Sequence, residues 1–225
     1  MQVDSFVQAT RTLGLNLSEA QLIQFETFEE VLYRANEVMN LTRVAREECW
    51  LRHFVDSLLF QDLIPQDSSV LDIGTGPGFP AWPLACARPD LSITAMDSSG
   101  KMLGFLNSQP LPNLTVIQSR AEEWMVREEF DVATGRAVAP LPIQLEISVA
   151  FVKVGGSVIP MRTPAERTEA EKLGANLLGL KLESADEREL PGTDIRRLFL
   201  TYRKIAKTPP KFPRTWAEIK RAPLL

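Results

Sequence analysis

The first part of the chain has the periodicity of amphipathic helices. In LSEAQLIQFETFEEVLYRANEVMN, residues 17–40, apolar side chains recur every three or four positions, which is the spacing of one helix face. Ser18 and, three residues later, Gln21 predict a capping box at the start of this helix. A further helix is predicted over residues 46–62, through CWLRHFVDSLLF. Residues 1–64 therefore predict a helical extension packed on a following core.

From residue 65 onward the pattern changes to short β-branched runs separated by helical segments. The runs are SSVLDI, LSITAMD, LTVIQS, FDVATGR and GGSVIPM. Strands that alternate with helices predict parallel βαβ units, and hence the α/β class with a doubly wound, mostly parallel sheet. Two further runs, LKLESADEREL and IRRLFLTYRKI, flank PGTD and predict an antiparallel strand pair at the C-terminal edge of the sheet. We expect the core to span residues 65–206.

Residues 207–225 differ from the core in composition. They contain four prolines and show little periodicity, so they predict an extended tail that either docks on the core or stays mobile. The net charge of -4 argues against a protein that binds nucleic acid through bulk electrostatics. From residue 196 to the end, however, nine basic residues stand against the single acidic residue Glu218. If RNA is a partner, this tail is where contact is electrostatically most favourable, and we expect the tail to leave a cofactor pocket untouched.

Composition argues against a membrane protein, a secreted protein and a protein built around a metal or disulfides. Hydrophobic residues make up 44% and charged residues 24%, an ordinary globular balance. No apolar run approaches the roughly 20 residues of a membrane helix, and residues 1–14 do not resemble a signal peptide, so we expect a cytoplasmic protein without membrane contact. Cys49 and Cys86 lie in unlike contexts and the chain has one histidine, so neither a metal site nor a disulfide framework is expected.

The stretch VLDIGTGPGFP, residues 70–80, closes the first predicted strand with three glycines at every second position. In a doubly wound sheet this first strand-to-helix turn is the usual ligand cradle, and glycine lets the backbone take positive φ without a Cβ in the ligand's way. Asp97 closes the second predicted strand, where an acidic side chain accepts hydrogen bonds from ribose hydroxyls. The two signals together predict a nucleoside-containing cofactor.

The details of the loop favour one kind of cofactor. Phe79 occupies the position where a dinucleotide fingerprint has its third glycine, which disfavours dinucleotides. Asp72, two residues before the first glycine, is placed to face a cationic group such as the amino group of S-adenosylmethionine. The D-x-G-x-G-x-G arrangement is typical of Rossmann-like methyltransferases. The alternative is that these residues only shape a tight turn.

Six separated motifs, in the same order, resemble one family. They are MNLTRV, HFVDSL, LDIGTGPGFPAWPLA, MDSSGKMLGFL, QSRAEEW and GRAVAPL, and they span residues 36–140; FPR…KRAPL in the tail adds to them. The family is that of the bacterial 16S ribosomal RNA (guanine-N7) methyltransferases, also called glucose-inhibited division protein B. The resemblance implies a Rossmann-like fold, S-adenosylmethionine as cofactor, and small-subunit ribosomal RNA or the 30S particle as partner.

Together with the glycine loop, the resemblance implies cofactor contacts at Gly74, Gly76, Gly78, Phe79, Asp97, Ala121, Glu122 and Arg136. Candidate RNA contacts are Arg52, His53, Arg136, Arg162, Lys211, Arg214, Lys220 and Arg221. Arg162 stands where members commonly have a lysine-glycine pair. Arg136 is also compatible with a surface salt bridge, and His53 with a buried structural role. No catalytic residue is assigned.

Guanine N7 carries a lone pair in the neutral base, so in-line methyl transfer needs neither a general base nor a covalent intermediate. The stretch TGRAVAP at the end of the fourth predicted strand is consistent with N7 as the acceptor. Enzymes that methylate exocyclic amines have an N-P-P-aromatic element at this place, and this chain does not. Three alternatives stay open: a methyltransferase for a small molecule or protein, a non-catalytic ribosome-assembly factor, and a dehydrogenase, which Phe79 disfavours. We expect a monomer.

Overall fold

The computed structural model describes residues 1–224. Two helices begin the chain, α1 (Val3–Thr12) and α2 (Glu19–Met39). The predicted apolar face of α2 is confirmed, because Phe25 and Phe28 are fully buried. Both helices share one hydrophobic cluster with residues of the sheet, so the N-terminal extension and the core are packed as one body.

The predicted capping box at the start of α2 is confirmed. The Gln21 backbone N–H donates to the Ser18 hydroxyl at 3.3 Å, and the Ser18 N–H donates to the Gln21 side-chain oxygen at 2.8 Å. Asn40 ends the helix in the left-handed conformation, with φ 49°. Local signals therefore set both ends of this helix.

The single helix predicted over residues 46–62 is interrupted. The chain forms a 3₁₀ turn (Arg46–Glu48), a π-helix (Trp50–Val55), a short α3 (Asp56–Leu58) and a second 3₁₀ turn (Gln61–Leu63). Residues 53–60 are all buried, including His53 and Asp56. π-helical turns are rare and are frequently found at functional sites. Here the π-helix buries His53, and Asp56 follows it as the first residue of α3.

Seven strands form one sheet in the order β3-β2-β1-β4-β5-β7-β6. Strands β1 to β5 run parallel to one another, whereas β7 runs antiparallel to both β5 and β6. The predicted α/β class, with a mostly parallel sheet and an antiparallel pair at one edge, is confirmed. The strands are β1 (Ser69–Ile73), β2 (Ser92–Asp97), β3 (Leu114–Gln118), β4 (Phe130–Arg136), β5 (Val152–Arg162), β6 (Leu180–Glu189) and β7 (Arg196–Lys204).

The helices between the strands are α4 (Ala81–Ala87), α5 (Gly100–Asn107), α6 (Leu141–Val149) and α7 (Arg167–Lys172), with 3₁₀ turns at Pro164–Glu166 and Ala175–Leu178. All seven residues of α4 and all nine of α6 are buried. Helix α4 belongs to the cluster formed with the N-terminal helices. Helix α6 packs on one side with the C-terminal part of the chain and on the other with residues of β1, β2 and β4.

The C-terminal segment, residues 207–224, docks on the core and contains a short helix, α8 (Trp216–Arg221). The prediction of an extended tail is therefore wrong for residues Trp216–Arg221, which are helical. Six residues are too few to show helical periodicity, but the segment has a capping box: the Thr215 N–H and hydroxyl both donate to Glu218, at 3.0 and 2.6 Å. Leu225, the last residue of the predicted tail, lies outside the described residues.

Among residues 1–224 no helix combines the length and apolar character needed to cross the hydrocarbon core of a bilayer. Histidine, cysteine, aspartate and glutamate side chains in this part of the chain nowhere gather in a group of three that could hold a metal ion. Cys49 and Cys86 are both buried and unbridged.

Candidate active site

The carboxyl ends of strands β1 to β4 meet at one edge of the sheet, where a first cavity of about 310 Å³ opens. This is the edge at which open α/β sheets bind ligands. Four predicted cofactor residues line the cavity: Gly74, Asp97, Ala121 and Glu122. The remaining lining residues are Ile73, Met96, Ser98, Ser119, Arg120, Ala137, Val138, Ile147 and Trp216.

The turn between β1 and α4 needs glycine at its two ends. Gly74 has φ 72°, and a Cβ on it would lie 3.0 Å from the Val138 side chain. Gly78 has φ 115°, and its Cβ would lie 2.7 Å from Leu106. Both positions therefore combine a left-handed backbone with close packing, which only glycine tolerates at low cost. The glycine loop is a requirement of the fold as well as a candidate cradle.

Asp97 ties the loop to the second strand. Its Oδ2 accepts a hydrogen bond from the Gly76 N–H at 2.9 Å, and its Oδ1 accepts one from the Ser99 N–H at 2.8 Å. Each carboxylate oxygen can accept a further bond. The side chain is thus held in place by backbone amides while it keeps capacity for a pair of ribose hydroxyls.

Glu122 supplies a second acceptor to the first cavity. Its Oε1 is buried and has no hydrogen-bond partner among residues 1–224, and Arg120 Nη1 lies 3.6 Å away. A buried carboxylate oxygen without a partner is costly unless a ligand donates to it. With Asp97, this orphaned atom and the apolar walls, the residues of the cavity fit a nucleoside cofactor.

Asp72 is not among the residues that line the first cavity. It is fully buried, and its Oδ2 accepts from the Ala81 N–H at 3.1 Å, so it holds the start of α4 against β1. Burial raises the pKa of Asp72 to about 7. Its Oδ1 is buried without a hydrogen-bond partner among residues 1–224. Because Asp72 does not line the first cavity, its contact with a cationic part of the cofactor stays a prediction.

A second cavity, of about 400 Å³, lies beside the first, and Ala137 lines both. It brings together four predicted RNA contacts: Arg52 and His53 from the π-helix, Arg136 from the end of β4 and Arg162 from the end of β5. The other lining residues are Val44, Asp56, Met161, Thr163, Glu166 and Arg197. A cavity lined by four arginines suits an anionic or oxygen-rich ligand.

Asp56 is the buried anion of the second cavity. Its Oδ2 accepts from Arg136 Nη1 at 3.1 Å, and its Oδ1 accepts from Arg197 Nε at 2.7 Å. Arg197 Nη2 adds a bond of 3.3 Å to Oδ2. The Asp56 side chain is only 2% exposed, so this pairing of one carboxylate with two guanidinium groups is largely removed from solvent.

Contacts of both ring nitrogens and of one ring face fix the orientation of His53. Its Nδ1 lies 3.3 Å from Arg136 Nη2, which can only donate, so Nδ1 accepts and Nε2 carries the proton toward the Thr42 hydroxyl at 2.7 Å. The ring stacks on Phe79. Burial, with smaller effects of Arg136 and Arg52, lowers the pKa of His53 to about 3. The imidazole is therefore neutral at physiological pH.

Arg162 forms a fixed wall of the second cavity. Its Nη1 donates to the Ala139 carbonyl at 2.8 Å and to Glu166 Oε1 at 3.3 Å, and its Nη2 donates to the Gln144 side chain. Burial lowers the pKa of this guanidinium, which remains charged. Its Nε is buried and has no hydrogen-bond partner among residues 1–224.

The profile of the GidB family, described as rRNA small subunit methyltransferase G, matches residues 21–191. The chain belongs to this family. It is 37% identical over 239 residues to ribosomal RNA small subunit methyltransferase G of Lactobacillus johnsonii, with both chains covered completely. It is 38% identical over 234 residues to the Caldanaerobacter subterraneus protein of the same name, covering 99% of this chain and 98% of that one. The resemblance seen in the six motifs is confirmed.

Solved structures support the fold that the family implies. A putative methyltransferase from Haloferax volcanii, solved with its Trm112 activator, has a TM-score of 0.54 at 16% identity and covers 69% of this chain and 92% of that chain. TYW2 of M. jannaschii, solved with AdoMet, also has a TM-score of 0.54, at 15% identity, and covers 67% and 75%. At these identities the likeness concerns the fold alone.

In this GidB family member, half of the predicted cofactor residues do not line the first cavity. Gly76 and Gly78 shape the loop, and Phe79 is 3% exposed, beneath His53 and Arg136. Arg136 lines the second cavity instead. That these four residues contact the cofactor stays a prediction.

The predicted RNA contacts of the tail are not brought to the second cavity. Lys211, Lys220 and Arg221 are exposed on the C-terminal segment. Arg214 differs from them, because its guanidinium bonds to the buried carboxylate of Glu146, with Nη2 and Oε2 2.6 Å apart. The three exposed cations stay predicted RNA contacts, whereas the structure gives Arg214 a partner within the fold.

Sequence reasoning assigned no role in this GidB family site to Asp56, Arg197 or Trp216. The motif HFVDSL contains Asp56, but nothing in one sequence shows that a strand 141 positions later supplies its second arginine. Trp216 sits in a segment predicted to be extended, and the sequence assigned that segment to RNA alone. The structure places this tryptophan on the wall of the first cavity.

Proposed function

We propose that this chain transfers the methyl group of S-adenosylmethionine to N7 of a guanine in small-subunit ribosomal RNA, by in-line displacement and without a covalent enzyme intermediate. Membership of the GidB family and the first cavity support the cofactor and the class of substrate. The second cavity, which shares Ala137 with the first, supports a base brought in beside the cofactor. We infer that the chain acts as a monomer in the cytoplasm, where its RNA substrate is assembled.

Three residues of the first cavity would hold the cofactor. Asp97 would accept from the ribose hydroxyls, Glu122 Oε1 would accept from a donor group of the nucleoside, and the backbone at Gly74 allows close approach. Bound there, S-adenosylmethionine supplies an electrophilic methyl group on a sulfonium sulfur. The contribution of the chain is then proximity and alignment of donor and acceptor.

The observation that favours N7 as the acceptor is the state of the titratable side chains that line the second cavity. Both oxygens of Asp56 are bonded to arginines, and both ring nitrogens of neutral His53 are engaged. Glu166 accepts from Arg162 and from the Thr163 hydroxyl and N–H. No free base is available among these groups, and N7 needs none because its lone pair is already exposed in the neutral base.

The arginines of the second cavity would bind rather than react. Among the three arginines of this cavity that are predicted to contact RNA, Arg52 is the most accessible, with a side-chain exposure of 41%. It would bind a phosphate. Arg136 and Arg162 are fixed by internal hydrogen bonds and would position the base. The acceptor guanine must leave its stack, or lie in an unpaired region, to enter.

The exposed cations Lys211, Lys220 and Arg221 would contact phosphates of the RNA outside the cavities. Such contacts carry little sequence information and weaken as salt rises. We assign Arg214 to holding the C-terminal segment, because its guanidinium is already bonded to Glu146.

The test is transfer of labelled methyl from S-adenosylmethionine to purified 30S subunits and to deproteinised small-subunit RNA. Both substrates come from a strain that lacks its own GidB family protein, so that the acceptor is unmodified. Large-subunit particles and a protein extract serve as control acceptors. We expect label in small-subunit RNA. Label only in protein or in small molecules would contradict the proposal, and so would binding of the cofactor without any transfer.

A further inference from the structure

Trp216 is the only residue beyond position 147 among the described residues that line the first cavity. It stands at the first position of α8, in the C-terminal segment. Its side chain is partly buried and packs in one hydrophobic cluster with Ile73, Val138 and Ile147, which are lining residues from the core. The segment therefore completes the wall of a cavity that is otherwise built by the sheet, its loops and helix α6.

An ion pair within the fold holds the segment in this place. Glu146 on α6 is completely buried, and its two oxygens accept from Arg214: Oε1 from Nε at 2.8 Å and from the backbone N–H at 3.0 Å, and Oε2 from Nη2 at 2.6 Å. Arg214 Nη1 also donates to the Ala222 carbonyl at 2.9 Å, which closes the segment on itself. A bidentate arginine–carboxylate pair fixes orientation as well as distance.

Apolar anchors lie on both sides of Trp216. Ile219, one turn further along α8, is fully buried in the same cluster as Trp216, and Phe212 is buried in a neighbouring cluster. The capping box of Thr215 and Glu218 fixes the start of the helix at the residue before the tryptophan. Trp216 is thus positioned by the fold itself, without a contribution from RNA.

We propose that Trp216 is a cofactor-binding residue, whose ring packs against the S-adenosyl group held in the first cavity. An aromatic ring on the wall of a nucleoside site supplies apolar area and stacking at small conformational cost. The identity of the cofactor rests on the proposed function, whereas the position of the ring rests on the anchors Arg214, Ile219 and Phe212.

The experiment titrates S-adenosylmethionine into four full-length proteins and follows both heat and tryptophan fluorescence. They are the wild type, Trp216→Ala, Trp216→Phe and the control Trp50→Phe. In the wild type Trp50 lines a different pocket, with Glu29 and Arg46. We expect the dissociation constant to rise about tenfold in Trp216→Ala, the scale of one aromatic contact with a base. Trp216→Phe keeps an aromatic ring, so its dissociation constant should rise by less than about threefold.

Fluorescence separates contact from a merely structural effect. Saturating cofactor should change the emission of the wild type and of Trp50→Phe, and the change should largely disappear in Trp216→Phe, which keeps the packing. Equal affinity of Trp216→Ala and wild type, or an emission change that persists in Trp216→Phe, would overturn the assignment of Trp216. Failure of the wild type itself to bind S-adenosylmethionine would instead contradict the proposed function.

Discussion

The His53 imidazole lies parallel to the Phe79 ring, with 4.2 Å between the ring centroids and 5° between their planes. The guanidinium carbon of Arg136 lies 5.3 Å from the centroid of the same Phe79 ring. Phe79 belongs to the glycine loop, whereas His53 and Arg136 line the second cavity. These three side chains therefore connect the loop beneath the proposed cofactor site to the cavity proposed for the acceptor base.

The burial of His53 makes stability depend on pH. In the unfolded chain His53 takes up a proton below about pH 6.5, but the folded protein, with the pKa lowered to about 3, does not. Acidification below pH 6.5 therefore favours unfolding, by up to about 1.4 kcal/mol per pH unit. Asp72 acts in the opposite direction, because a pKa raised to about 7 stabilises the fold as pH falls from 7 toward 4.

Comparison of wild type with His53→Gln removes the Asp72 contribution, which both proteins share. Between pH 7 and pH 5 the wild type should lose up to about 2 kcal/mol more free energy of unfolding than the variant. Urea unfolding at each pH measures this difference. Parallel pH profiles for the two proteins would show that His53 is not buried in its neutral form.

Asp97→Ala should weaken binding of S-adenosylmethionine by at least about tenfold, since it removes the expected ribose acceptor and the bond that holds the Gly76 N–H. Asp4→Ala, in an exposed position on α1, is the matched control and should bind like wild type. Isothermal titration calorimetry measures both. An unchanged dissociation constant in Asp97→Ala would remove this residue from the site.

Asp56→Asn should lower the free energy of unfolding by about 3–5 kcal/mol, because it leaves the guanidinium groups of Arg136 and Arg197 without their buried counter-ion. Asp62→Asn breaks an arginine pair as well, with Arg188, but the Asp62 side chain is 55% exposed and the cost should stay near 0–1 kcal/mol. Chemical denaturation gives both values. Similar losses for the two variants would contradict the special role of Asp56.

Gly78→Ala should destabilise the protein by about 1–3 kcal/mol, since alanine at φ 115° is strained and its Cβ meets Leu106. Gly104→Ala is the opposite case, because Gly104 lies within α5 and a Cβ there meets nothing within 4 Å. Alanine there should stabilise by about 0.5–1 kcal/mol. Thermal unfolding of both variants tests this prediction. A melting temperature that shifts in the same direction in both variants would contradict it.

Much of the fold could be predicted because local patterns and tertiary structure agree. The βαβ alternation required a parallel sheet, and the pair Ser18 and Gln21 capped α2 as expected. The interruption of residues 46–62 could not be predicted, because burial of His53 and Asp56 together depends on partners far along the chain. Helix α8 was missed although Thr215 and Glu218 carried the signal of its capping box.

The site was predictable where it depends on strand ends and less so where it depends on packing. Gly74 follows β1, Asp97 is the last residue of β2, and the pair Ala121 and Glu122 follows β3. They meet in one cavity because the carboxyl ends of parallel strands lie at one edge of the sheet. Arg136 also ends a strand, β4, but its guanidinium pairs with Asp56 and lines the second cavity. The contribution of Trp216 depends on the buried Glu146, whose partner in the tail no spacing rule indicates.

The central claim is methylation at guanine N7, and the chemistry of the product tests it most directly. Methylation at N7 puts a positive charge on the base, so that mild reduction and aniline treatment break the RNA chain at that nucleotide. After reaction with unmodified 30S subunits or small-subunit RNA, primer extension should show one new break that depends on both enzyme and S-adenosylmethionine. Label incorporated into the RNA without such a break would place the methyl group on another atom and contradict the account.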